Sequence, residues 1–179
     1  MMSNQAFLEA IFGDDWKRAH VTSFAGDPGK APASAWVGGP AGTLLKTMSP
    51  DDNNYYCVSL FRGNRRQAQH LERWVVLGVD DVGPKVNADL VRELLGEPTW
   101  RIETSPFNEQ WHYVLGGAPI TDAKWANEFI KALVGKLVGE DGKDPGMRDV
   151  TRYMRLPVGR NHKAEYAEQW GFETRGWVH

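Results

Sequence analysis

The sequence predicts an α+β sandwich, on three observations. Runs rich in β-branched and aromatic residues at 55–61 and 74–79 require strands. Apolar residues at helical spacing require two or three helices, and strands alternate irregularly with them. Two further short segments, 99–104 and 110–115, flank turn residues and predict a hairpin.

Each element has its own justification. Ser3 can cap a helix through Phe12, because Phe7, Leu8, Ile11 and Phe12 share a face and Gly13 follows as a stop. Residues 25–40 are rich in Gly, Pro, Ala and Ser, with Asp27-Pro28-Gly29 and Gly38-Gly39-Pro40 as turn signals; they read as loop with at most a short strand. Tyr55-Tyr56-Cys57-Val58-Ser59-Leu60-Phe61 reads as one strand, and Trp74-Val75-Val76-Leu77-Gly78-Val79 as another ending in Asp80-Asp81. These two are expected to be neighbours. Asn87 is placed to cap a helix over 88–95, with Leu90, Val91, Leu94 and Leu95 on its apolar face and Gly96 at its end. Trp100 and Ile102 alternate with Arg101 and Glu103, and Ser105-Pro106-Phe107-Asn108 turns the chain. The longest helix is expected over 122–138, with Ala126, Ile130, Leu133 and Leu137 on one face, a cap at Thr121 or Asp122, and Gly139 beyond.

Length and composition narrow the classes. With 179 residues, 41% hydrophobic and 25% charged, the chain suits one domain with a real core. No apolar run approaches the roughly 20 residues that span a bilayer, and the N-terminus lacks the basic start and apolar stretch of a secretory signal. A cytoplasmic location is therefore expected, and no membrane partner. The single cysteine, Cys57, excludes an internal disulfide and a cysteine-rich zinc site, and reads as a small strand residue. The net charge of −2 hides an asymmetry: residues 145–163 carry five Lys or Arg against one acid, and Arg62, Arg65, Arg66 and Arg73 form a second basic group.

The chemistry concentrates at a buried strand that ends in two carboxylates. Neither acid sheds its hydration cheaply beside an apolar wall, so such a pair is neutralised by cations, by metals or by protonation. Adjacent strand residues point to opposite faces, so both acids reach one cavity only if the backbone turns. Gly83 and Pro84 offer that break. Hard Mg²⁺ or Mn²⁺ would then bind through oxygen; the plainer alternative is that the two acids cap a turn. Residues 103–111 place hydroxyls and amides at a strand junction, suited to phosphate or sugar, or simply to a tight hairpin. Residues 144–163 combine Asp144 with arginines and a Gly-Arg-Asn-His-Lys exit, a run able to bind metal and triphosphate together.

With these three blocks in this order, the chain resembles the archaeo-eukaryotic primase superfamily, and within it the plasmid RepB-like primases and the primase-polymerase domains of phages. Val79-Asp80-Asp81-Val82-Gly83 is similar to the first block. Glu103-Thr104-Ser105-Pro106 through Asn108 and Gln110 is similar to the second. Asp144-Pro145 through Arg155-Leu156-Pro157, Gly159, Asn161 and Lys163 is similar to the third. The likeness covers residues 74–163, about half of the chain. It implies an α+β primase-polymerase core with an RRM-like half, its mixed or antiparallel sheet flanked by helices. It also implies that Asp80, Asp81 and Asp144 hold two divalent cations, Mg²⁺ or Mn²⁺. Ser105, Asn108, Gln110, His112, Arg155, Asn161 and Lys163 would then bind the nucleotide. Many superfamily members have a histidine where this chain has Gln110; His112, two positions on, shares that strand face and is either a substitute or a packed structural residue. Asp149 is a weaker metal candidate, equally suited to capping a turn.

The implied activity is primer synthesis or extension on a single-stranded DNA template from nucleoside triphosphates, in phage or plasmid replication. The chain would be a single catalytic domain, either separated from a longer primase-helicase or standing alone. It contains no Gly-x-x-x-x-Gly-Lys-Ser/Thr loop, so a replicative helicase would be a partner in cis or in trans. Two alternatives stand beside this reading. One is a non-catalytic module that stacks single-stranded nucleic acid on its aromatic residues; the other is a metal-dependent nuclease.

Overall fold

The three expected helices form where their caps and apolar faces require. The structure, a computed structural model, describes residues 2–63, 65–139, 146–163 and 175–178. Helix α1 spans Asn4–Phe12, capped by the Ser3 side chain on the Ala6 amide, and buries Phe7, Leu8, Ile11 and Phe12. A four-residue α2, Ala41–Leu44, was not expected. Asn87 caps α3, Ala88–Leu95, through the Asp89 and Leu90 amides. Asp122 caps α4, Ala123–Val138, which turns Ala126, Ile130, Leu133 and Leu137 inward. No helix among the described residues is long and apolar enough to cross a membrane.

The strands depart further from expectation. The run at 55–61 is two strands, β3 (Asn53–Cys57) and β4 (Ser59–Phe61), interrupted at Val58. The run at 74–79 is likewise divided at Val75, between β5 (Leu71–Trp74) and β6 (Val76–Val82). Val58 explains both breaks, because its carbonyl accepts the Val75 and Val76 amides while its own amide donates to the Arg152 carbonyl. The expected neighbours therefore meet only at this junction: β4 pairs with β5, Ser59 opposite Trp74, while β6 belongs to another sheet. Among the strands not expected are β1 (His20–Phe24), and β9 (Tyr153–Arg155) inside the basic stretch. Both are short and of mixed polarity, so neither carries a clean alternation.

Two four-stranded antiparallel sheets result. One runs β2 (Gly39–Pro40), β1, β3, β9; the other runs β10 (Arg175–Val178), β7 (Trp100–Ser105), β8 (Asn108–Val114), β6. Within the second, β6, α3, β7, β8 and α4 follow one another as β-α-β-β-α with β8 paired to both β6 and β7, the succession of an RRM-like half. The sheets meet where Met154 of β9 lies over Gly78 of β6: any side chain at Gly78 would run into the Met154 sulfur and methyl. Cys57 is buried against Val150 and burial pushes its thiol up to about 12, which suits a small core residue and not a nucleophile.

Candidate functional site

The acid pair reaches one cavity through a device the sequence reading did not name. Strand β6 ends at Gly83-Pro84, but what turns the acids is a bulge just before that end. Val79 pairs with Trp111 and Val82 with Glu109, so three steps on β6 match two on β8. The extra residue turns Asp80 and Asp81 toward the same side, with Asp81 in the left-handed region at φ 53°. A tight turn holds that conformation, since the Asp81 carbonyl accepts the Lys85 and Val86 amides. Gly83, at φ 114°, then lies against the Phe107 carbonyl, where a side chain would collide. The hairpin tip between β7 and β8 is thereby locked beside the bulge.

Both acids line a polar cavity of about 370 Å³. Ser105, Asn108, Gln110, Arg155, Asn161 and Lys163 line it too, so eight of the ten residues proposed from sequence converge there. Pro28, Gly29, Trp36, Tyr55, Lys85, Thr104, Arg152 and Tyr153 share the lining and were not assigned a role. Arg152 sat in the basic stretch; the first three belong to a segment that shows nothing recognisable. A larger groove, about 810 Å³ along α4, has no pair of acids and lies on other residues.

Each carboxylate oxygen has a defined partner. The Asp81 amide donates to Asp80 Oδ1 (2.8 Å), and Arg152 Nη2 to Asp80 Oδ2. Asn108 Nδ2 donates to Asp81 Oδ1 (2.9 Å) and Lys85 Nζ to Asp81 Oδ2 (2.6 Å). Burial alone would raise Asp81, but the hydrogen bonds from Lys85 and Asn108, with the charge of Lys163, outweigh it and hold the carboxyl below its usual range. The two carboxylates are thus neighbours in a partly buried place, each paired with a protein cation.

The opposite wall is basic and rigid. Gln110 Oε1 accepts the Arg155 amide (2.9 Å), tying β8 to β9 across the two sheets. The Arg155 guanidinium, 4% exposed, donates to Arg160 O (3.0 Å) and Asn161 Oδ1 (2.8 Å), reaches Asn53 Oδ1 at 3.4 Å, and lies 4.8 Å over the Tyr55 ring. Burial pushes its pKa down, and no carboxylate touches it among the described residues. Asn161 is itself anchored on the Thr104 carbonyl and accepts the Lys163 amide (3.2 Å).

Three residues need correction or placement. His112 does not reach the cavity: it is fully buried in the core, hydrogen-bonded to the Tyr56 hydroxyl through Nδ1 (2.6 Å) and edge-on to Phe7. Sharing a strand face with Gln110 is not enough, because the core closes over the strand between them. Asp149 is a turn cap, accepting the Thr151 amide (2.7 Å) and hydroxyl (2.6 Å). Asp144 lies outside the described residues.

Burial, then the charge of Arg152, pushes His112 down to about 3. Its folded pKa lies below the unfolded value near 6.5, so below that pH the unfolded chain binds the extra proton. Stability should therefore fall as pH drops from about 6.5 toward 3, by up to about 1.4 kcal/mol per pH unit from this group. Urea unfolding of wild type and His112→Gln across that window checks it: the variant should lose less stability on acidification, and parallel profiles would mean that His112 is not held neutral.

The donor set fits a hard divalent cation. Among the described residues each oxygen of Asp80 and Asp81 accepts one hydrogen bond and so keeps a lone pair to spare, and ions of this kind take one or two carboxylates while keeping water and phosphate ligands. No group of three metal-ligating side chains occurs among the described residues, which do not include Asp144.

No family model matches this chain, and no curated protein matches it. Among solved structures, the AEP domain of the cyanophage S-2L primase-polymerase (PrimPol) is similar, with a TM-score of 0.63 and 14% sequence identity over 97% of this chain and 88% of that one. The fold is accordingly the α+β fold of that primase-polymerase domain, with antiparallel sheets flanked by helices.

Proposed function

We propose that this chain is a metal-dependent nucleotidyltransferase of the primase-polymerase kind, making or extending primers on single-stranded DNA. One observation carries the reading: a single cavity sets a bulge-mounted carboxylate pair against a buried arginine that no acid among the described residues touches. Acids alone would suit a metal, and cations alone would suit any anion. Together they suit a nucleotide whose triphosphate travels with a cation. Among the described lining residues Lys85, Arg152, Arg155 and Lys163 stand against Asp80 and Asp81, so the cavity carries an excess positive charge that matches a metal-bound triphosphate. The likeness to a phage primase-polymerase domain supports the same reading at the level of fold.

Asp80 and Asp81 would hold the metal, joined by Asp144 if the third block acts as its resemblance implies. A divalent cation there would neutralise phosphate charge and lower the pKa of the attacking 3′-hydroxyl. The chain's own contribution is positioning. Arg155 presents a guanidinium fixed by Asn53, Arg160 and Asn161, so a phosphate can be held with little loss of side-chain freedom. Lys163 adds a point charge, and Ser105 and Gln110 offer polar groups to the phosphate or sugar. In-line transfer needs little more than this alignment and charge balance.

Incubation with labelled nucleotides, a single-stranded template and Mg²⁺ or Mn²⁺ tests the proposal. New, longer strands are expected. Retarded but unchanged strands would replace the reading by a binding module, and shortened strands by a nuclease.

A further inference from the structure

We propose that Arg152 is an internal counter-ion which Asp80 exchanges for a divalent cation, and that the freed guanidinium then holds the incoming triphosphate. This rests on the function proposed above but assigns a role to Arg152, which lies within the third block and was given no individual role there. Asp80 and Arg152 form an ion pair at 17% and 13% side-chain exposure, at the edge of the cavity that both line. In that pair Arg152 uses one nitrogen, Nη2. Its Nε and Nη1 are buried and have no hydrogen-bond partner among the described residues.

A guanidinium carries five N–H donors, and buried donors are normally satisfied. Arg155, three residues away in sequence, shows what a fixed arginine looks like here: its two terminal nitrogens reach three different acceptors. Arg152 has a carboxylate on one side and donors to spare on the others, the state of a side chain made for a second anion. Gly146 leaves it room, since a side chain there would come within 3.2 Å of Nη1.

The exchange follows from charge. Two carboxylates, Asp80 and Asp81, lie side by side in a partly buried place, and Arg152 and Lys85 offset their mutual repulsion. A divalent ion on Asp80 relieves it better and repels the arginine beside it. The nucleotide that arrives with the ion supplies the anion Arg152 then lacks, so cation and nucleotide should each strengthen the binding of the other.

The test measures Mn²⁺ binding to the full chain from the loss of the free-ion electron spin resonance signal, with and without a non-hydrolysable nucleoside triphosphate. In Arg152→Gln, Mn²⁺ alone should bind about tenfold more tightly because its competitor is gone. The nucleotide analogue should bind about tenfold more weakly, and the mutual strengthening should shrink. Arg152→Lys should return both toward wild type. Unchanged or weaker Mn²⁺ binding by Arg152→Gln overturns the exchange. Should that variant not fold, the guanidinium nitrogen resonances of the wild type give the same answer: Mg²⁺ alone must shift those of Arg152, and no shift overturns the proposal. If wild type binds Mn²⁺, Asp80→Asn does not, and Arg152→Gln behaves as wild type, only the counter-ion role falls. If wild type binds neither ion nor nucleotide, the function proposed above falls with it.

Discussion

Asp80→Asn is expected to lower nucleotide incorporation at least about a hundredfold, the scale of losing one preorganised charge contact at a reacting centre. The substitution keeps the shape of the side chain, and its carbonyl can still accept the Asp81 amide that stabilises the bulge. What it removes is the negative charge facing the cavity. Arg152 loses its ion-pair partner, so some stability should go as well, yet that arginine lines an open cavity and is not sealed in the core. Thermal melting on the same preparation separates the two effects: activity should collapse while a cooperative transition remains. Asp149→Asn is the matched control. Asp149 is another acid near the third block, but it caps Thr151 and does not line the cavity, so incorporation should be nearly unchanged. Equal activity in wild type and Asp80→Asn would remove the reason for placing a metal on this strand.

That contrast between two acids shows how far the sequence can be read. Both were candidates, and spacing could not separate them. Asp80 and Asp81 betrayed themselves by ending an apolar strand, where charge has to be explained. Their convergence did not, because a bulge is a relation between two strands and β6 carries no mark of the register it adopts against β8. The three longer helices were legible to within a residue because caps and apolar faces are local. Ser3, Asn87 and Asp122 each bind amides of their own first turn. The division of residues 53–61 between two sheets was not legible, since Val58 is singled out only by its contacts with Val75, Val76 and Arg152. The same limit explains Trp36 and Pro28. Their segment reads as loop but forms two short 3-10 turns, Pro28–Lys30 and Ala33–Trp36, and only folding brings it over the cavity. His112 shows the opposite error, in which a correct rule about strand faces located a side chain that the core had covered.

Gly78→Val should be among the most destabilising single substitutions in the chain, at or above the upper end of the ~1–3 kcal/mol typical of overpacking. Total stability of a domain is only about 5–15 kcal/mol, so the melting temperature should drop visibly. The reason is local. Gly78 sits in the middle of β6, opposite His112, and Met154 of β9 occupies the space its side chain would need. Methionine is adaptable, but Met154 is fully buried and has little room to retreat. The consequence extends to the site. Gly78 lies two residues before Asp80, and Met154 immediately precedes Arg155, so this contact sets the separation of the acidic wall from the basic one. Forcing the sheets apart displaces one wall relative to the other, and a shift of about 1 Å can reduce catalysis a hundredfold. Met154→Ala in the same chain should restore part of both losses, because it vacates the volume that valine needs. Strict additivity of the two substitutions, measured by thermal unfolding, would show that the residues do not act on each other and that the separation of the walls is set elsewhere.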